Sequence, residues 1–279
     1  MRISPLLTAA ALMLFSPSGT AHGADLIHHD LSVKLDPGRR TLEVRDTVTL
    51  PDRLFSSPER SISFALHTGL APRSPTAGVV IEKTGTAEST PPHDTYRVEL
   101  TSPGSTFDLL YEGVIDHPLE AVGEEYARGQ RQTAGRIFSE GAYLSPRSAW
   151  YPLFGEDLVT FSLAVKAPPA WDVVSQGKRT NHTLDESARY VRWESPSPQD
   201  AIYLVAGPYR EYTRREGRAE AMVFLRQPDE ALANRYLEAT LQYLAMYEEL
   251  IGPYPYGKFA LVENFWETGY GMPSFTLMG

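Results

Sequence analysis

Ile27-His28-His29-Asp30-Leu31-Ser32-Val33-Lys34-Leu35-Asp36 sets Leu31, Val33 and Leu35 on one face and Ser32 and Lys34 on the other. Successive side chains of an extended chain point to opposite faces, so this alternation marks a strand with one side buried. Asp36-Pro37-Gly38 supplies a turn. From Thr41 to Leu50 the alternation returns through Leu42, Val44, Val48 and Leu50, and the two runs read as an antiparallel hairpin. Similar short runs follow at 61–66, 78–82, 95–100, 106–114, 158–165, 171–175, 190–194 and 202–206, with Pro or Gly between nearly all of them. Many short strands without a long helix predict a mainly β chain, an antiparallel sandwich or saddle of sheets. Residues 116–139 carry Gly, Arg and Glu without a clear period and are expected to form a long loop.

After Tyr212 the character changes. Arg214-Arg-Glu-Gly-Arg218 is a charged junction, 221–225 is a short apolar strand, and Gln227-Pro-Asp-Glu230 has the Pro and acidic residues of a first helical turn. Ala233, Tyr236, Leu237, Leu241, Leu244, Tyr247, Leu250 and Ile251 then recur at helical spacing, predicting one long amphipathic helix that Gly252-Pro253 ends. Strands are expected at 258–262 and 274–278. Three divisions follow: 1–23, 24–212 and 219–279. The last, with one helix and a few strands, is at the lower limit of independent stability, so the chain reads as the front of a longer protein. Expressed alone, it is expected to leave Tyr236, Leu237, Leu241, Leu244 and an unpaired strand at 274–278 uncovered.

The composition narrows the function classes. The 279 residues are 42% hydrophobic and 22% charged, which describes a folded globular protein. Lys plus Arg is 26 against 35 Asp plus Glu, and the net charge of −9 with scattered basic residues argues against a nucleic-acid partner. No Cys is present, which excludes disulfides, thiolate nucleophiles and Cys-held metal. Met1-Arg2, a mostly apolar run from Ile3 to Phe15, a break at Ser16-Pro-Ser-Gly-Thr20 and the small residues up to Ala24 together form a signal-peptide pattern with cleavage near Gly23. That run is too short and too broken for the ~20 apolar residues of a membrane span. A periplasmic or secreted location is therefore expected, with no membrane span after cleavage.

Beyond these readings, the sequence resembles a known family. The export signal, the opening strand Ile27 to Asp36, Trp150-Tyr-Pro152, Phe161-Ser-Leu-Ala-Val165 and Trp171-Asp-Val-Val-Ser-Gln-Gly177 resemble the N-terminal β-domain of the aminopeptidase N family of gluzincin zinc peptidases. Tyr247-Glu-Glu-Leu-Ile-Gly-Pro-Tyr-Pro-Tyr256, Lys258-Phe-Ala-Leu-Val262 and Gly269-Tyr-Gly-Met272 resemble the opening of its thermolysin-like catalytic domain. The resemblance implies an α+β catalytic domain of which only the incomplete start is present. It implies a peptide substrate, zinc in the full-length protein, and hydrolysis by metal-activated water. In that family two His four residues apart on a helix and a later Glu hold the metal. The seven His here stand at 22, 28, 29, 67, 93, 117 and 182, with no His-x-x-x-His, so the chain as given is expected to bind no zinc and to be inactive. Adjacent His28 and His29 point to opposite strand faces and read as ordinary hydrogen-bonded strand residues.

The resemblance also places a substrate-edge strand. The family's Gly-x-Met-Glu-Asn stretch pairs with extended substrate, and its Glu binds the free amine. Aligned on Met272, this chain has Gly271-Met272-Pro273-Ser274, so Pro273, which lacks both a carboxylate and a backbone donor, stands at the Glu position. Glu263 and Glu267 are the nearest carboxylates for the amine, although one strand-end charge and one exposed loop charge are the readier description of them. At Glu140 and Gly141 the family usually carries a Gln reaching toward the substrate, and none stands here. Trp150, Trp171 and Trp193 read as core, and Ser145, Ser148 and Ser274 lack a Gly-x-Ser-x-Gly elbow. The competing reading is a non-catalytic exported β-sandwich binding or scaffold module derived from a peptidase.

Overall fold

The computed structural model describes residues 26–55, 60–102, 104–121, 130–155 and 158–279. The expected signal segment, 1–23, lies outside them. The opening hairpin forms as read, with β1 (Ile27–Asp36) and β2 (Thr41–Thr49) in register from His28 opposite Thr49 to Asp36 opposite Thr41. Strands β3 (Ser61–His67), β4 (Val79–Ala87) and β5 (His93–Leu100) make a separate sheet in the order β3-β5-β4. Strand β6 (Thr106–Val114) pairs with β2.

The long loop expected over 116–139 is instead partly ordered. It contains β7 (Glu120–Ala121), β8 (Arg131–Gln132) and β9 (Gly135–Phe138), and β9 pairs with β10 (Gly141–Leu144). Only Gly135 and Ile137 of β9 are buried, a signal too short to read as a period. What fixes the segment is tertiary: Asp116 accepts from both Arg40 and Arg136.

Strands β11 (Val159–Ala167), β12 (Asp172–Val174), β13 (Lys178–Leu184), β14 (Arg189–Gln199) and β15 (Leu204–Gly207) complete this part. The largest sheet runs β13-β14-β11-β1-β2-β6, and a four-stranded sheet runs β12-β15-β10-β9. Most neighbours are antiparallel, but β1 and β11 lie parallel, with Leu31 opposite Leu163. The core holds Leu31, Val33, Leu163, Trp150 and Trp193, all 3% exposed or less. Trp150 and Trp193 donate their indole N–H to the carbonyls of Ile202 and Val173, which satisfies their one polar atom in the core.

A second sheet is built from β16 (Arg210–Arg215), β17 (Glu220–Leu225), β18 (Lys258–Glu263), β19 (Gly269–Met272) and β20 (Phe275–Met278), in the order β16-β17-β18-β20-β19. Tyr212, where the sequence reading ended the first division, lies inside β16. Helix α1 (Glu230–Ile251) carries the chain from β17 to its parallel neighbour β18. Asp229 caps it by accepting from the Leu232 amide at 2.8 Å, and Gly252 ends it with φ 124°.

Two expectations about this part are overturned. Leu237 and Leu241 are not uncovered, since with Ala233 they pack on Ala221, Val223 and Leu225 of β17. The strand at 274–278 is not unpaired either, because β20 lies between β18 and β19. Among the described residues the edges of this sheet are β16 and β19. Farther along α1, Tyr243, Met246, Tyr247, Leu250 and Ile251 are exposed. No helix among the described residues is long and apolar enough to cross a membrane.

Candidate functional site

The edge strand is fixed from its turn outward. Met272 pairs with Phe275 across Pro273-Ser274, and Ser274 has φ 67°. Proline first and a positive φ second is the arrangement of a type II turn, so the Pro that cannot pair with a peptide is the residue that closes this hairpin. Ser274 itself is held on three sides. Its hydroxyl accepts from the Gly177 amide at 3.2 Å, and its carbonyl accepts from the Ala260 amide at 3.1 Å and from Lys258 Nζ at 3.0 Å.

Lys258 is 2% exposed and also donates to the carbonyl of Ser175 at 2.8 Å, with the Trp193 and Phe275 rings 4.8 and 5.0 Å from Nζ. Burial, and secondarily the charge of Arg179, pull its pKa well below the ordinary lysine value. Arg179 in turn makes a two-point ion pair with Glu211, at 2.8 and 2.6 Å.

Among the described residues no strand pairs with the other side of β19, and just before it the Glu267 carbonyl accepts from the Arg131 amide at 3.1 Å. Gly279 N–H donates to the Thr268 carbonyl at 2.8 Å, so antiparallel alternation turns Tyr270 and Met272 toward β20. Gly269 and Gly271 therefore direct their N–H and C=O outward. No atom lies within 4 Å of where a Cβ would sit on Gly271, and on Gly269 only the Leu277 carbonyl comes within 3.9 Å. Tyr270 stacks on Tyr143 at 6.2 Å, and Tyr143 meets Trp266 edge-on at 5.6 Å. Burial, then the neighbouring tyrosines, raise the Tyr143 phenol and keep it protonated.

Glu263 and Glu267 line a cleft of 670 Å³ at the C-terminal ends of β17, β18 and β20, together with Arg226, Asp229 and Trp266. Glu263 accepts from the Arg226 amide at 2.6 Å, while Glu267 is exposed. Three carboxylates against one guanidinium suit a cationic group. The expected site residues thus divide. Glu263 stands at the far end of β18 from Lys258, roughly 16 Å by strand rise, and Gly271, Met272, Pro273 and Ser274 do not line the cleft. Glu140 lies near its rim, 3.9 Å from Arg226. Arg226 and Asp229 were not singled out in the sequence, since only the βαβ crossover brings them beside Glu263.

Two side-chain clusters lie elsewhere. Asp172, His182 and Glu211 converge, with His182 Nε2 3.0 Å from Asp172 and 3.8 Å from Glu211. Glu211 is already neutralised by Arg179, so this group is an ion-pair network. His67 and His117 meet Nε2 to Nε2 at 2.9 Å, with His93 beside His67 across the strand pair. Burial first, then His117 and His93, lower the His67 pKa to about 4. His28 bonds Thr160, and buried His29 bonds Asp46 at 2.7 Å, as expected of strand residues on opposite faces.

No protein-family model and no curated protein matches the chain. Solved structures do. An M1 zinc metallopeptidase from Deinococcus radiodurans, in a mutant bound to a Tyr-Ser-Ala substrate, aligns over 92% of this chain and 61% of its own, at 19% identity and TM-score 0.61. A second structure of an M1 zinc metallopeptidase from Deinococcus radiodurans gives 18% identity over 91% of this chain and 60% of its own, at TM-score 0.58. Native yeast LTA4 hydrolase aligns over 91% of this chain and 40% of its own, at 14% identity and TM-score 0.64. The chain therefore has the fold of the N-terminal part of M1 zinc metallopeptidases and spans less than two thirds of those structures. The helix-borne zinc site that this fold family implies does not fit the residues present, since none of the seven His lies in α1 and no two stand four apart.

Proposed function

We propose that this chain is the front portion of an exported, zinc-dependent metallopeptidase of aminopeptidase type, whose own contribution is to hold an extended peptide. The observation that carries the reading is the β19 edge, unpaired among the described residues and with glycine at both outward-bonding positions, on a fold shared with a peptidase solved with a tripeptide. A peptide laid beside Gly269–Met272 exchanges backbone hydrogen bonds with Gly269 and Gly271 as an added strand. Its ammonium end is drawn toward the carboxylates of Glu267 and Glu263 at the cleft. Tyr270, half-buried on this strand and stacked on Tyr143, is the aromatic ring nearest the added strand. In this reading the zinc ligands and the hydrolytic step belong to residues outside this chain.

The second reading is a binding module that performs no chemistry. The two separate on the product of the gene read beyond Gly279. A chelator-sensitive peptidase supports the first, and peptide binding unchanged by a chelator, with no hydrolysis, supports the second.

A further inference from the structure

We propose that His67 and His117 form a binding site for a divalent transition-metal ion in the β-rich part of the chain. Their Nε2 atoms face each other at 2.9 Å, with the ring planes inclined by 58°. Two imidazoles on a tetrahedral zinc ion stand about 3.3 Å apart, from metal–nitrogen distances near 2.0–2.1 Å. Opening the pair by a few tenths of an ångström is therefore sufficient.

Both residues sit on anchored backbone. His67 ends β3 and its amide donates to the Ala149 carbonyl at 2.8 Å. The His117 amide donates to Gly135 at 3.0 Å, and its carbonyl accepts from Thr133 Oγ1 at 3.0 Å. His117 lines a 180 Å³ cavity whose wall also carries Glu120, Thr133 and Arg147. That cavity reaches the pair from the His117 side and carries one carboxylate in its wall. The guanidinium of Arg147 opposes a cation there, while Glu120 and Asp116 favour it electrostatically at His117. His93 holds its Nε2 on the Arg147 carbonyl at 2.9 Å and is a bystander to the pair.

Seated on the metal, each ring binds through the Nε2 lone pair and keeps its single proton on Nδ1. The ring that had donated across the pair shifts its proton from Nε2 to Nδ1, and no proton is released. His67 Nδ1 is buried without a hydrogen-bond partner among the described residues, so it is free to carry that proton. The two rings touch in the fold, yet 50 positions separate them in the sequence, which is why no metal motif is visible there.

The experiment is a zinc titration of the tag-free chain by calorimetry, with imidazole nitrogens followed by NMR. One zinc ion is expected to bind per chain, with Nε2 of His67 and His117 shifting together. His117→Gln and His67→Gln should each weaken binding by roughly tenfold or more. His182→Gln, in the Asp172–Glu211 network, should leave it unchanged. Failure to bind zinc while NMR shows the two rings still paired, or binding lost in His182→Gln and retained in His117→Gln, overturns the proposal.

Discussion

Lys258 Nζ, at the start of β18 beside the hairpin turn, reaches the carbonyl oxygen of Ser274 at 3.0 Å and that of Ser175 at 2.8 Å. One buried amine thereby ties the β19–β20 turn to the segment following β12. Gly177 adds a second tie through the Ser274 hydroxyl. The position of the β19 edge is set by these contacts between the two parts of the chain.

Replacing the amine tests this directly. Lys258→Met leaves the Ser175 carbonyl without its lysine donor and should cost about 1–3 kcal/mol at pH 7. The lowered folded-state pKa also fixes a pH dependence. Between that value and the ordinary lysine value near 10.4 the unfolded chain holds more protons, so stability from this group rises with pH in that window. Denaturant melts at pH 7 and about 9.5 should show wild type gaining relative to Lys258→Met. Parallel pH profiles would show that burial does not perturb this lysine.

Glycine at 177 is required twice over. Its φ is 80°, and an added Cβ would lie 2.2 Å from the Glu194 carbonyl oxygen, which is backbone and cannot swing away. Gly177→Ala should destabilise by about 2–4 kcal/mol. Gly217, with φ 89° and nothing within 4 Å, lacks the clash. Gly217→Ala should cost about 1 kcal/mol, and equal losses at the two positions would contradict the packing seen here.

Leucines on α1 should divide by position. Leu237 is 3% exposed against β17, and Leu250 is 71% exposed. Leu237→Ala is expected to cost about 2–4 kcal/mol and Leu250→Ala less than about 0.5 kcal/mol in thermal or urea unfolding.

Peptide capture should depend on the outward N–H of Gly271. Gly271→Pro removes that donor from an edge position where Pro is sterically tolerated. Binding of a Tyr-Ser-Ala tripeptide, measured by NMR titration, should fall at least about tenfold, one lost hydrogen bond being worth roughly 1.5 kcal/mol. Unchanged affinity would move the peptide site away from this edge.

The alternation of Ile27–Asp36 and the helical stripe of α1 were legible because each depends on the side chain's own periodicity. Strand β16 was missed because Arg210-Glu-Tyr-Thr-Arg-Arg215 is polar on both faces, as an edge strand can be. The order within 130–138 depends on Asp116 and Arg40, which no local pattern announces. At the candidate site, Gly271 and Pro273 were legible as backbone chemistry. The partnership of Glu263 with Arg226, and of Lys258 with Ser175, spans 37 and 83 positions and exists only once the sheets assemble.

The parallel seam between β1 and β11 sets a timetable for the newborn chain. His28 meets Thr160 across 132 positions, and the hairpin that opens the sequence must wait for its partner to be made. At about 5–20 residues per second of synthesis, that wait is roughly 7–26 seconds. Throughout it, one flank of β1 stays exposed to whatever else the ribosome exit offers.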